Sequence, residues 1–467
     1  MLEFDNTLVD EDRADVMPGH AALAEQVIEA LTRPNGTSPH ILRVTQPVDP
    51  VDPLVWLRAQ TAADKLYWAG RQTGTAVAGA GVADVVTADA PMDYEALQRQ
   101  LAARWAHVGD TPMRYYGGLR FDGGGEYRDD RWAAFGTYRF VLPRFELRTD
   151  GQTATLACHL ILPRDSDSAA EVQHALEALA WPAEASSNRL PPSTARADAP
   201  GRAEWIESVD WALRAIDAGQ LDKVVLARRS TFDFLRALDP MAILRRVQAT
   251  TPECFHFAFQ PRGGGAFVGA SPERLFRQSG RRVRTEAVAG TRSRGDSDQA
   301  DEALREELLA SEKDRREHAY VQDTIEQVLD PLSTRVELNH PPSEMKLARG
   351  RHLRSRLEAT LHPDVTPIDL LQALHPTPAV GGVPSEAACA AIRSQEPFDR
   401  GWYAGPVGWI EPEAAEFAVA IRCGLVRGTA LDLFSGAGIV DGSVPEREWD
   451  EIEQKIGDFA AVLGLSA

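Results

Sequence analysis

Apolar and polar residues alternate over short runs in the first third of the chain, the period-two pattern of half-buried strands. Tyr138-Arg-Phe-Val-Leu-Pro-Arg-Phe-Glu-Leu147, a turn at Thr149-Asp-Gly-Gln152, and Thr153-Ala-Thr-Leu-Ala-Cys-His-Leu-Ile-Leu162 predict a β-hairpin. The stretch from Gly79 to Ala83 and the run Gly123-Gly124-Gly125 predict the turns of further hairpins. The pattern breaks between Pro182 and Pro200, where four prolines and few large apolar side chains predict a linker or surface loop over residues 182–202. It divides an N-terminal α+β region, 1–181, from residues 203–467, both read as parts of one compact fold. Beyond it, longer helical periods appear. Trp205, Val209, Leu213 and Ile216 predict a helix that stops at Gly219. Lys223-Val-Val-Leu-Ala-Arg228 predicts a buried strand, and Phe255–Phe259 with Ala266–Ala270 a hairpin around Arg262-Gly-Gly-Gly265. Leu304, Leu308, Val321, Ile325 and Val328 predict one long amphipathic helix, or two abutting ones, from Asp301 to Leu332. Late strands follow at Glu416 to Arg422 and Ala430 to Phe434, then a last helix from about Pro445 to Leu463 with Ser443-Val-Pro-Glu446 as its capping box. Short turns between neighbouring strands make the fold class α+β with mostly antiparallel pairing.

Charge narrows the possible partners. The 467 residues carry 50 Lys+Arg against 69 Asp+Glu, a net charge of −19. Such a chain repels phosphate backbones and anionic lipid, so neither nucleic acid nor a membrane surface is an expected partner. An anionic ligand would need local attraction from a cation, glycine amides or placed Arg and Lys. Cys158, Cys254, Cys389 and Cys423 lie far apart without CxxC spacing, as reduced thiols do. The start lacks a basic-then-apolar signal pattern, and no apolar run reaches ~18 residues, so a cytoplasmic location is expected.

A few residues could carry chemistry. Glu448, Glu451 and Lys455 fall at i, i+3 and i+7 on the last helix, and Asp314 and Glu317 at i, i+3 on the earlier one. Carboxylates fixed on two rigid helices suit a hard cation such as Mg²⁺, although the same spacing also describes a solvated acidic face. Gly436 and Gly438 precede the last helix and could offer backbone amides to a carboxylate, or form a tight turn. Lys223 opens an apolar strand, where its amine either snorkels to water or is desolvated. Glu273 follows a strand at Ser271-Pro272, either as a functional acid or as a surface partner of Arg274. His352 and His375 could be packed or capping histidines.

These segments resemble, in order and spacing, the motifs of the chorismate-utilising enzyme family. They are Leu221-Asp-Lys-Val-Val-Leu-Ala-Arg228, Gly269-Ala-Ser-Pro-Glu-Arg-Leu275, Thr285-Glu-Ala-Val-Ala-Gly-Thr291, Ser311-Glu-Lys-Asp-Arg-Arg-Glu-His318, Ala373-Leu-His-Pro-Thr-Pro-Ala-Val-Gly-Gly382, Gly436-Ala-Gly-Ile-Val440 and Glu448-Trp-Asp-Glu-Ile-Glu-Gln-Lys455. The resemblance runs from Ala203 to the C-terminus. Gly117-Gly-Leu-Arg-Phe-Asp122 and Phe140-Val-Leu-Pro-Arg144 resemble the longer members. Lysine at 223 and Ala379 before Val-Gly-Gly resemble the isochorismate-forming members, not the amidating or salicylate-forming ones.

The resemblance implies large, mostly antiparallel sheets packed together with helices outside, and Mg²⁺-dependent conversion of chorismate to isochorismate. It implies Lys223 as the general base that activates water for attack at C2, and Glu273 as the general acid for the departing C4 hydroxyl. It implies Glu317 and Glu451 as direct Mg²⁺ ligands, with Asp314 and Glu448 supporting them. Gly290, Thr291, His352, Ala379, Tyr403, Arg422, Gly436, Gly438 and Lys455 would line the substrate pocket. A monomer with no glutamine amidotransferase subunit is implied. The product would feed menaquinone, siderophore or salicylate synthesis, with the long N-terminal region favouring menaquinone. Salicylate formation and a non-catalytic chorismate-binding subunit are the competing readings.

Overall fold

The computed structural model describes residues 18–33, 38–71, 73–108, 113–124, 129–182, 190–339, 341–347 and 350–465. Its strands are β1 (His40–Val48), β2 (Lys65–Ala69), β3 (Ala76–Ala88), β4 (Tyr115–Leu119), β5 (Tyr138–Thr149), β6 (Ala154–Leu162), β7 (Ser193–Ala199), β8 (Lys223–Phe234), β9 (Phe255–Gln260) and β10 (Ala266–Ser271). They continue with β11 (Arg274–Ser279), β12 (Arg282–Ser293), β13 (Ser333–Leu338), β14 (Ser343–Lys346), β15 (Gly350–Leu361), β16 (Gly382–Val383), β17 (Pro406–Ile410), β18 (Ala414–Val419), β19 (Cys423–Arg427) and β20 (Ala430–Val440).

The strands form one continuous hydrogen-bonded ladder with two arms. One runs β7–β8–β20–β19–β10–β9–β2–β3–β5. On its far edge, the long β5 serves two neighbours. Phe145–Thr149 pairs with β6, which pairs with β1, while Tyr138–Val141 pairs with β4. From β4 the second arm continues β17–β18–β11–β12–β15. Every named pairing is antiparallel, and helices lie outside, in agreement with the α+β expectation. N-terminal strands are ladder members between C-terminal ones: β2 bridges β9 and β3, and β4 bridges β5 and β17.

One apolar core cluster runs through the molecule, and the short helix Asp130–Phe135, β10 and the turn at Trp402 meet in it through aromatic rings. Trp132 meets Phe135 and Phe267 edge-on at 5.3 Å, and Phe135 meets Trp402 at 5.2 Å. Such rings bury large apolar areas, and their edge-to-face geometry adds about 0.5–1.5 kcal/mol per pair.

The hairpin predicted around residues 149–152 is β5–β6, and Phe255–Phe259 with Ala266–Ala270 form β9–β10. Several expectations are corrected. A third of the expected linker is strand: β7 pairs with β8, and the next helix begins at Arg202. Gly79 to Ala83 is not a turn but the interior of β3, where a Cβ on Gly79 would lie 2.8 Å from Leu66 and Pro143. Gly123 and Gly124 stand in bends outside the strands, and Gly125 lies outside the described residues. Of the two readings of the 301–332 region the second holds: it is two abutting helices, Asp298–Ala310 and Glu312–Leu329, because Ser311 leaves the helical conformation to cap the second. The strand expected to reach Arg422 ends at Val419, and Gly436 and Gly438 lie inside β20, not in a turn. The capping box before Pro445–Leu463 is absent. Val444 is the cap residue, and the Ser443 hydroxyl instead accepts from the Val440 N–H at 3.3 Å.

Candidate active site

Lys223 is the first residue of β8, and its register follows from that strand's partners. Lys223 stands opposite Val440 of β20 and Val383 of β16. A buried ion pair holds the same backbone from behind. Arg400 donates to the carbonyls of Val225 at 2.7 Å and Val380 at 2.9 Å, while Glu396 accepts from the Ala227 N–H at 2.8 Å.

A cavity of about 350 Å³ lies between the arms and beneath the helices Glu312–Leu329 and Pro445–Leu463. Val225 of β8 and Phe434 to Gly438 of β20 form one wall. Val288 to Gly290 of β12 and His352 of β15 form the other. Glu273, Ala379, Tyr403, Arg422 and Lys455 line it too, with Asp314, Glu317, Glu448 and Glu451 from the two helices. One predicted residue stands apart. Lys223 has no exposed surface and lies just behind the lining, where its Nζ donates to Glu317 Oε1 at 3.0 Å. The Thr291 backbone is in β12 opposite His352, and its side chain lies outside the described residues.

Two glycines make this closeness possible. A Cβ on Gly438 would stand 2.6 Å from Glu317 Oε1 and 3.2 Å from Lys223 Cε, and one on Gly436 would stand 3.0 Å from the Tyr403 hydroxyl. Gly290 has φ +72 and occupies the irregular step of the β12–β15 ladder, where its carbonyl turns to His352. Among the described residues, Ala404 and Arg422 are the non-glycine residues at positive φ, 62 and 52. Such strain costs about 1–3 kcal/mol per residue and persists where the surroundings over-determine it. Here Ala404 donates to the Ala420 carbonyl at 2.8 Å, and the Arg422 carbonyl accepts from the Ala270 N–H at 3.0 Å. Arg422 and Tyr403 are thereby presented to the cavity.

Charges in the cavity come in matched sets. Lys223 pairs with Glu317 at 3.0 Å, Arg292 with Asp314 at 2.8 Å, and Lys455 with Glu451 at 2.7 Å. Lys455 also donates to the Gly436 carbonyl at 2.9 Å. Burial raises the Glu273 carboxyl to about 8; the nearby Lys223 ammonium opposes that shift and the Glu286 carboxylate adds to it. Glu273 is therefore mostly protonated at neutral pH. Burial also drops His352 to about 3, with Arg422 and Lys455 contributing, so its ring is neutral. Its Nδ1 lies 3.1 Å from the Gly290 carbonyl, which can only accept; that nitrogen carries the proton and leaves Nε2 as an acceptor. His375, by contrast, is a packed histidine, its Nε2 2.9 Å from the Phe121 carbonyl and its ring edge-on to Phe121.

The donor chemistry fits a hard dication, because four carboxylates on two helices share one cavity. They are not a ready-made centre: among the described residues no three acidic, His or Cys side chains are gathered closely enough to hold a metal. Three of the four are held by the chain's own cations, so a dication would have to exchange with those ion pairs. Sequence reasoning missed Arg292 and Arg447, which also line the cavity. Both had a sequence signal, since Arg292 follows the Thr285–Thr291 segment and Arg447 precedes Glu451 by four on one helix face.

A protonated acid, a buried amine beside the cavity and carboxylates paired with cations are the groups that acid–base catalysis on a small molecule requires. The family model for chorismate binding enzymes matches residues 26–464, and the chain belongs to that family. Its relatives include "Isochorismate synthase 2, chloroplastic" of Arabidopsis thaliana, 36% identical over 79% of this chain and 67% of that protein. Another is "Salicylate biosynthesis isochorismate synthase" of Pseudomonas aeruginosa, 35% identical over 91% of this chain and 90% of that one. Among solved structures, the menaquinone-specific isochorismate synthase MenF of Escherichia coli superposes with a TM-score of 0.83 at 30% identity, covering 95% and 99% of the two chains.

Proposed function

We propose that this chain is an isochorismate synthase that converts chorismate to isochorismate with Mg²⁺. The observation that carries the reading is the juxtaposition of a carboxylic acid held protonated at neutral pH with a wholly buried lysine at the edge of the same cavity. In this reading Glu273 donates its proton to the C4 hydroxyl as it leaves. Lys223 takes the proton of the water that attacks C2. An amine serves as a base only when neutral, so Lys223 first has to give up its ion pair with Glu317. Glu317 and Glu451 would hold Mg²⁺, supported by Asp314 and Glu448, and the bound ion would supply a positive anchor for a substrate carboxylate. Gly290, Ala379, Tyr403, Gly436, Gly438, the neutral His352, Arg422 and Lys455 bind the rest of the substrate. Thr291 would join them.

Product chromatography tests the reading. Incubation with chorismate and Mg²⁺ is expected to give isochorismate. Release of pyruvate with salicylate would replace it with salicylate synthase, and no turnover would replace it with a chorismate-binding subunit. The likeness to the menaquinone-specific enzyme along almost the whole chain supports menaquinone synthesis as the destination. The enzyme would act as a cytoplasmic monomer without an amidotransferase partner.

A further inference from the structure

Arg71 belongs to the N-terminal region, yet it reaches the backbone that carries the acid. It stands just past β2, whose Ala69 pairs with His256 of β9. In the next step of the ladder Phe255 of β9 pairs with Ser271, the last residue of β10, and Pro272-Glu273 follows. The Arg71 side chain is 3% exposed. Its Nη1 donates to the Pro272 carbonyl at 2.5 Å and its Nη2 to Glu286 Oε1 at 2.5 Å, with its guanidinium carbon 5.5 Å from the Phe255 ring centre. Arg274, on the other side of Glu273, contacts the same Glu286 oxygen at 3.5 Å and pairs with Glu416 at 3.1 Å. Both neighbours of the acid are thus tied to one buried carboxylate.

An ion pair this buried adds little net stability over an apolar replacement, so stability alone is a weak account of it. We infer that Arg71 is a positioning residue: its fork spans Pro272 and Glu286 and so fixes where Glu273 delivers its proton. This rests on the reading of Glu273 as the general acid. A lysine keeps the positive charge but lacks the planar fork that grips two acceptors at once.

The test is a double-mutant cycle with the full-length enzyme, chorismate and Mg²⁺. Arg71→Lys is expected to lower kcat about tenfold, with KM within about twofold and no loss of the cooperative melt, because small displacements of a reacting group are costly. In a Glu273→Gln background, with product counted by chromatography over long incubations, the same substitution should cost less than about twofold. Glu273→Asp serves as the background where Glu273→Gln forms no product. Equal losses in both backgrounds, or a loss confined to KM, would overturn the positioning role. If Arg71→Lys unfolds, the paired Arg71→Met/Glu286→Gln, which leaves no orphaned charge, takes its place in the cycle. Near-normal turnover by Glu273→Gln alone would instead sink the general-acid reading, so the two failures are distinguishable.

Discussion

The β8 edge and the β10–β11 junction bury one ionisable group each, and treat them oppositely. At the first, Lys223 is wholly enclosed but has a carboxylate 3.0 Å away, so its charge is matched. At the second, Glu273 is buried with Glu286 as a neighbour of its own sign, and its proton is held to about 8. Burial is common to both, but Lys223 has a carboxylate at salt-bridge distance, whereas at Glu273 desolvation outweighs the opposing field of Lys223. Under the proposed function, the acid would be stored ready to donate, whereas the base would first have to leave its ion pair. The hydrogen at residue 438 lets Glu317 stand beside the amine without displacement, since a Cβ there would lie 2.6 Å from Glu317 Oε1.

The sharpest way to break this comparison is at its two ends. Lys223→Ala is expected to lower isochorismate formation by about 10²–10⁴-fold while Mg²⁺ binding, followed by calorimetry, persists. Near-normal product formation by that variant would refute the base assignment. In the unmodified enzyme kcat/KM should fall as pH rises through about 8, because Glu273 must be protonated to act and deprotonates there. Glu273→Gln should remove that limb along with most of the rate, and an unchanged alkaline limb would assign it to another group. Glu451→Ala should weaken Mg²⁺ binding and turnover together, by about 10–100-fold, if the carboxylate holds the ion as proposed. Gly438→Ala should raise the KM for chorismate or the Mg²⁺ requirement several-fold, because its Cβ would sit 2.6 Å from Glu317 Oε1. The smallest effect concerns stability. A carboxyl whose folded pKa lies above its unfolded value loses stability as pH rises between the two, here from about 4.5 to about 8. Urea melts of Glu273→Gln should show a shallower decline across that window than the parent.

Much of the catalytic half was legible because it is local. Helical spacing put Asp314 with Glu317, and Glu448 with Glu451 and Lys455, on single faces, and the structure turns both faces to one cavity. The β5–β6 and β9–β10 hairpins followed from period-two alternation around short turns. The errors have a common cause. Glycine is permissive, so a turn is one reading of Gly79, Gly436 and Gly438, but each sits in a strand, where a Cβ would stand 2.8 Å from Leu66 at Gly79, 3.0 Å from the Tyr403 hydroxyl at Gly436 and 2.6 Å from Glu317 Oε1 at Gly438. β7 was hidden among prolines because it packs on the edge of β8, where a strand needs partners on one side only.

By itself, then, the amino-acid order determined what depends on neighbours a few residues apart: the hairpins, the helix faces, the acidic character and the order of the motifs. Tertiary structure alone decided which side chains meet across hundreds of residues. It set Lys223 behind Glu317 instead of in the cavity wall, ran β2 between β3 and β9, and carried Arg71 to the carbonyl before Glu273. Burial and the field of a distant carboxylate are properties of that packing, and no reading of spacing contains them.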